Sequence, residues 1–383
     1  MPRARAASMK PAMRDYRLID ADCHVVEPPH IWQTWLPKTL HDRAPKLVKD
    51  DEGGDAWQLQ PGTTPMYIGL VATAGMRFEQ MKWKGYTYET IRKGCWDGKA
   101  RLSDMDIDGV DAELIYPSQR TMYYFMGNED REFHRAGVRA YNDFMAKEFC
   151  AADPERLFFL AQMPNLGVDE MIAEMKRCRE MGARGVIITT WPAGNDDLSS
   201  ADDPFFAAAQ DMGMPVSIHI RIQRKRNPPI RLEGPAAIGT MALAGMLAFP
   251  PLMAELITSG LFDRFPKLTL LGVETEVGWI PAALEQLDNF YWRNRTHTGV
   301  QLKHLPSDYF HRNFVCTFIA DRVGIRNRHA IGVRNMAWST DYPHHGCDWP
   351  YSRKIAGELL EDVPAEERHL ICAGNMMRVY GLG

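Results

Sequence analysis

Short apolar runs rich in β-branched residues alternate with stretches of helical periodicity along most of the chain. Eight of the runs read as strands: residues 16–24, 112–117, 158–164, 183–190, 214–220, 267–273, 313–318 and 336–341. Helical spacing of apolar positions marks residues 129–152, 168–181, 204–212, 276–294 and 321–331 between them. Pro154 stops the first of these, while Gly182 and Gly213 stand where helices commonly end in a left-handed residue. Pro250-Pro251 is expected to break the apolar stretch 236–260 into two helices. Strand and helix in alternation describe a parallel sheet covered by helices. Eight such units predict an α/β fold, a (β/α)8 TIM barrel.

The main irregularity is a long insertion after the first strand, residues 45–98, rich in glycine and in aromatics such as Trp57, Trp83, Tyr88 and Trp96. Loops of this length are uncommon unless functional, and one that follows a barrel strand belongs over the active face. A lid is therefore expected, with a packed structural or oligomer-forming subdomain as the alternative. Residues 1–15 are basic and Ala-rich without a signal-type apolar segment. They are expected to form a disordered tail, an organellar leader being the alternative. Residues 16–383 are expected to form a single domain.

Composition adds exclusions. A chain of 383 residues, 45% hydrophobic, buries a large core without disulfide support. The net charge of −4 and an isoelectric point near 6.3 give no reason to expect a nucleic-acid or anionic-membrane surface. No apolar run is long enough to span a bilayer. The seven cysteines are scattered with no Cys-x-x-Cys pair, so they read as free thiols in a reducing compartment, here the cytoplasm.

The candidate chemistry falls at the ends of strands. Asp20-Ala-Asp22-Cys-His24 closes the first, and side chains two apart on a strand share a face, so Asp20, Asp22 and His24 are expected to point together into the barrel mouth. Val216-Ser-Ile-His219 closes the fifth, and Ser339-Thr-Asp341-Tyr-Pro-His344-His345 closes the eighth. Barrel enzymes build their sites at this end of the strands. Mixed carboxylate and imidazole ligands suit zinc, manganese or iron. Arg221 is a candidate to grip a substrate carboxylate, and Trp279 to stack on a planar substrate.

Jointly these motifs resemble the amidohydrolase-related family that includes aminocarboxymuconate-semialdehyde decarboxylase. Ile19-Asp20-Ala-Asp22-Cys-His24, extended by Val25-Val-Glu27-Pro-Pro, matches its acidic variant of the opening motif. Arg101 to Asp111 resembles its helix before the second strand, and His219 and Thr340-Asp341-Tyr-Pro match its later metal positions. The resemblance runs from about Tyr16 to Leu382. It implies a divalent metal, expected to be zinc, on Asp22, His24, His219 and Asp341. Glu27, Glu274 and His345 are further ligands or supporting residues, and Asp341, Glu274 and His344 the catalytic set. Two departures stand out. The sixth strand carries Glu274-Thr-Glu276-Val-Gly-Trp279 where the decarboxylases have a histidine, and the fourth strand has no lysine to bridge a second ion.

The leading expectation is a metal-dependent hydrolase acting on a small carboxylated or aromatic compound through metal-activated water. Non-oxidative decarboxylation is the second. A dinuclear Fe/Mn oxygenase and a non-catalytic metal-binding partner subunit are the others. Relatives of this kind imply a homodimer or larger homo-oligomer, with a paralogous partner as the alternative.

Overall fold

All eight apolar runs form strands, in the expected order and pairing in parallel. β1 (Ile19–His24) is followed by β2 (Lys46–Lys49), β3 (Asp55–Gln58) and β4 (Met66–Tyr67) of the insertion. The barrel then continues through β5 (Ala112–Tyr116), β6 (Leu157–Gln162), β7 (Gly185–Ile187), β8 (Val216–His219), β9 (Leu270–Val273), β10 (Phe314–Phe318) and β11 (Met336–Trp338). The sheet order is β1-β5-β6-β7-β8-β9-β10-β11. This computed structural model describes residues 16–225, 227 and 234–382, so the expected N-terminal tail lies outside the described residues.

The ring closes after β11. Asp341 N donates to Asp22 O at 2.8 Å and His24 N to Tyr342 O at 2.6 Å, with a parallel bridge between Cys23 and Tyr342. Ile19, Ala21, Leu114, Leu160, Ile187, Leu271 and Val315 fill the buried interior layer. A second, larger apolar cluster includes Leu18, Cys23, Phe159, Val186 and residues of the covering helices.

β1 departs from simple alternation. Asp20 pairs with Glu113 but Cys23 with Ile115, so β1 carries one extra residue against β5. Such a bulge re-aims side chains. Asp22 and His24 stay together, but Asp20 is not in the mouth. It sits with Cys23 and Glu113, near Asp104 and Asp108 of the helix Gly98–Asp108. There it accepts from Thr340 N at 2.9 Å and from the Thr340 hydroxyl, tying β1 to the residues after β11. Arg101, fully buried on the same helix, donates to Glu113 at 2.7 Å, to Gly94 O at 2.7 Å and to His24 O at 2.5 Å.

The insertion forms an antiparallel sheet, β2-β3-β4, and its Trp57, Ile68, Ala72, Tyr88 and Ile91 join the larger core cluster. It touches the loop after β11 through Thr73 N to Pro343 O and His345 N to Leu70 O, both 3.0 Å.

Three helix expectations change, and the simplest is 321–331, which forms two short helices, Arg322–Arg326 and Arg328–Ile331. The prolines at 250 and 251 lie inside the helix Ala244–Thr258, and the break falls at Leu243, with a 46° bend. Proline has a helical φ, and the carbonyls left without donors belong to the exposed Met246 and Leu247, within reach of water. The helix expected from 276 starts at Ile280, with Pro281 in its first turn, and runs to Thr298. No single helix among the described residues is long and apolar enough to cross a membrane.

Replacing Arg101 with methionine leaves the Glu113 carboxylate buried without its cation. We expect a loss of about 3–5 kcal/mol in equilibrium urea unfolding. A loss below about 1 kcal/mol, the range of an exposed pair, would contradict this role.

Candidate metal centre

Three strand ends bring the candidate ligands together: Asp22 and His24 from β1, His219 from β8, and Asp341 directly after β11. His24 Nε2 lies 3.5 Å from Asp22 Oδ1, 3.2 Å from Asp341 Oδ1 and 3.2 Å from His219 Nε2. His219 Nε2 lies 3.6 Å from Asp22 Oδ1 and 3.7 Å from Glu274 Oε2. His344 Nδ1 sits 2.8 Å from Asp341 Oδ1, its ring stacked on His24 at 4.3 Å and 9°.

The backbone is bent to make this possible. Among the described residues the non-glycine positions with left-handed φ are Ile220 (60°), Glu274 (55°), Glu276 (52°) and Asp341 (59°). All four follow β8, β9 or β11. For a β-branched residue such as Ile220 this conformation is costly, and strain of this kind concentrates at functional sites.

The donor set fits a divalent cation. Both carboxylate oxygens of Asp22 are fully buried and have no hydrogen-bond partner. A buried anion beside other acids is unfavourable unless a cation answers it. Three imidazoles (His24, His219, His344) and three carboxylates (Asp22, Glu274, Asp341) offer ligand atoms within 4.8 Å of one another in overlapping groups of three, a set that suits first-row metals.

The protonation pattern agrees. Burial alone would lower His219, but the charges of Asp22, Glu274 and Asp341 outweigh it and push it up to about 9. Burial, then the charges of Asp341 and Asp22, raise Glu274 to about 8. Burial opposes ionisation of Asp341 too, yet His344 and His24 hold its carboxyl well below the usual range. Burial keeps His344 below its ordinary value although Asp341 pulls it up.

Over the cluster opens a cavity of about 390 Å³ lined by His24, His219, His344, Arg221 and Val71 of the insertion, among others. Arg221 is thus placed as expected, and His344 is the histidine of its pair that faces the site. His345 is exposed and outside the ligand groups. The reason is that the turn after Pro343 sends it to the insertion, where its backbone bonds Leu70. Glu27 is buried away from the cluster and accepts from the Thr121 hydroxyl. Trp279 does not line the cavity. Its indole donates to Thr275 O at 2.8 Å and packs edge-on against Phe249, which seats the helix Ile280–Thr298. Sequence reasoning missed Ser118, Arg120 and Tyr123 after β5, and Gln223 after β8, all in the cavity wall. The strand-end rule that located His219 could have found them.

A (β/α)8 barrel with ligands for a divalent metal at its strand ends defines the class. Residues 19–382 match the family described as "Amidohydrolase". The chain therefore belongs to the amidohydrolase family. A 2-amino-3-carboxymuconate-6-semialdehyde decarboxylase of Dictyostelium discoideum is 22% identical over 307 residues, 78% of this chain and 80% of that protein. The solved 5-carboxyvanillate decarboxylase of Sphingomonas paucimobilis superposes with a TM-score of 0.69 at 23% identity, covering 96% of this chain and all (100%) of the other. A 5-carboxyvanillate decarboxylase of Novosphingobium aromaticivorans, complexed with manganese and 4-hydroxy-3-methoxy-5-nitrobenzoic acid, gives 0.65 at 18% identity, covering 96% of each chain.

In the metal-free protein His219 and Glu274 are pushed up to about 9 and about 8, so both hold protons at neutral pH. A metal must displace them. Manganese affinity is therefore expected to rise from about pH 6 to about pH 9 and to flatten above, with proton release on binding. Calorimetry in buffers of different ionisation enthalpy measures both; an affinity flat across this range would remove these two groups from the centre.

Proposed function

We propose that this chain is a metal-dependent decarboxylase of a small carboxylated aromatic acid, with manganese as its metal. The observation that carries this reading is the Asp341–His344 pair, 2.8 Å apart beside the ligand cluster. Hydrolysis, the first expectation from sequence, calls for an unengaged base next to the attacking water. Here the Asp341 oxygen already meets a ring nitrogen, and its carboxyl is held well below the usual range, which makes it a weak base toward water. The decarboxylases among the similar proteins support the same order, and the manganese in one of them favours that metal over zinc.

The bound metal would polarise the substrate carboxylate and any neighbouring hydroxyl. Arg221 grips the acid in the cavity. His344 takes a proton from solvent and delivers it to the ring carbon bearing the carboxylate, while the ionised Asp341 beside Nδ1 steadies the imidazolium so formed. The carbon–carbon bond then breaks, its electron pair returns to the ring, and CO2 leaves. One carboxylate and one proton thus become CO2 and a new C–H bond, and solvent restores the proton through the cavity. Stacking on His24 keeps the His344 ring in place for this transfer. Glu274, standing where the resembling decarboxylases carry a histidine, lies 3.7 Å from His219 Nε2, beside the position the metal would take, where its charge would help balance the cation. Exposed Ile238, Leu247, Phe290 and Trp292 supply apolar surface of the kind subunit contacts cover, in keeping with a homo-oligomer.

Manganese-loaded protein is expected to release CO2 from a panel of hydroxybenzoic acids in D2O, leaving deuterium at the vacated carbon, with one metal per chain. Ester or lactone cleavage without CO2 release would return hydrolysis to first place. Two metals per chain with oxygen consumption would favour the dinuclear oxygenase.

Glu274→Gln keeps shape and removes charge. It is expected to lower kcat at least about tenfold with metal content unchanged. Lost metal would make Glu274 a ligand, and near-normal turnover would leave it only a packing role.

A further inference from the structure

The loop of the insertion that reaches the mouth bonds the segment after β11 on both sides of His344. Thr73 N donates to Pro343 O, and Leu70 O accepts from His345 N, both at 3.0 Å. Val71, between the two bonding residues of the loop, lines the cavity together with His344. The backbone groups of His344 itself are used within its own turn: its N–H donates to Asp341 O at 2.9 Å, and its carbonyl accepts from Cys347 N at 3.1 Å. An outside element can therefore hold His344 only through its neighbours, and the insertion takes one on each side.

The loop is itself pinned. Ala72, Thr73 and Ala74 are buried, as is Ile68 before them, although loops usually run over the surface. Met76 N donates to Thr73 O at 2.9 Å, closing a turn in which Gly75 has a φ of 79°. A Cβ on Gly75 would stand 2.8 Å from the Trp349 ring, so this turn lies directly against a residue just beyond the segment it bonds. Arg92 of the insertion packs over the same ring, 3.7 Å from its centre, and pairs with Asp104. Trp349 Nε1 donates to Asp104 O at 3.1 Å. The segment so held includes the left-handed residue Asp341, and strain of that kind persists only where the surroundings over-determine the backbone.

We propose that residues 70–73 form a fixed clamp that positions His344, and not a lid that opens for the substrate. The part played by His344 rests on the decarboxylase reading; the clamp rests on the two flanking bonds and the buried loop. Its use is geometric, since a misplacement of about 1 Å in a reacting group costs about a hundredfold in rate.

The test uses manganese-loaded protein and two readouts that need no turnover. Hydrogen exchange, read residue by residue by mass spectrometry, is expected to find the amides of Thr73 and His345 as slow as those of His24 and Asp341 in the barrel seam. Exchange at least about a hundredfold faster than the seam would make the loop a lid and overturn the proposal. The second readout is labelling of imidazoles by diethyl pyrocarbonate. Thr73→Pro removes the donated N–H and keeps the carbonyl that Met76 bonds. By populating displaced positions of the segment, it is expected to raise the labelling rate of His344 at least about fivefold, with His24, His219 and manganese content unchanged. Unchanged labelling of His344, or an equal rise at all three histidines, would overturn the clamp. If Thr73→Pro does not fold, by circular dichroism, Gly75→Ala forces the turn off Trp349 and is read in the same way. Slow exchange and selective labelling without CO2 release uphold the clamp while removing decarboxylation; CO2 release with fast exchange does the reverse.

Discussion

The closing of the ring between β1 and the segment after β11 is the constraint on which the rest depends. The backbone bonds that make the seam, Asp341 to Asp22 and His24 to Tyr342, belong to three of the candidate metal ligands and their neighbour. Closure and ligand placement are therefore one event. The seam is held from outside as well: Asp20 grips Thr340, and Arg101 reaches through to the His24 carbonyl while neutralising Glu113. These polar groups lie beneath the covering helix, where each unpaired charge would be expensive. The bulge in β1 makes both uses possible, since it lets one short motif send Asp20 outward and Asp22 and His24 inward.

Closing the ring also creates an electrostatic problem in the mouth. Asp22, Asp341 and Glu274 converge there with two imidazoles, and the carboxylates raise one another's affinity for protons or metal. Glu274 is pushed up to about 8 and His219 up to about 9, whereas Asp341 is held ionised by the two histidines beside it. The same cluster can hold protons or a divalent ion, and the opposite sign of a metal would reverse the shift on Glu274. The left-handed turns at Glu274 and Asp341 are the conformational strain that this convergence requires.

Membership of the amidohydrolase family defines scaffold and site location, while the reaction depends on what stands around the metal. A glutamate stands after β9, and on the other side of the cluster Asp341 meets His344. The insertion supplies Val71 to the cavity wall and Trp83 to the neighbourhood of Arg120, so part of the cavity's surroundings comes from outside the barrel repeat.

The order of strands was legible in the sequence because apolar β-branched runs report burial locally. The set Asp22, His24, His219 and Asp341 was legible because a strand's end in sequence is its end in space. Even Arg221 followed from its distance to His219. The bulge was not legible: its signal is one unpaired residue against a strand far along the chain, where Asp20 pairs with Glu113 and Cys23 with Ile115, and it alone removes Asp20 from the mouth. Glu27, His345 and Trp279 sit in sequence near residues of the cluster, yet their partners are Thr121, Leu70 and Thr275, which only packing could choose. Arg120 shows the converse. Nothing in Pro117-Ser-Gln-Arg120 distinguishes it from a surface arginine, because its place in the cavity wall is a property of the three-dimensional neighbourhood alone.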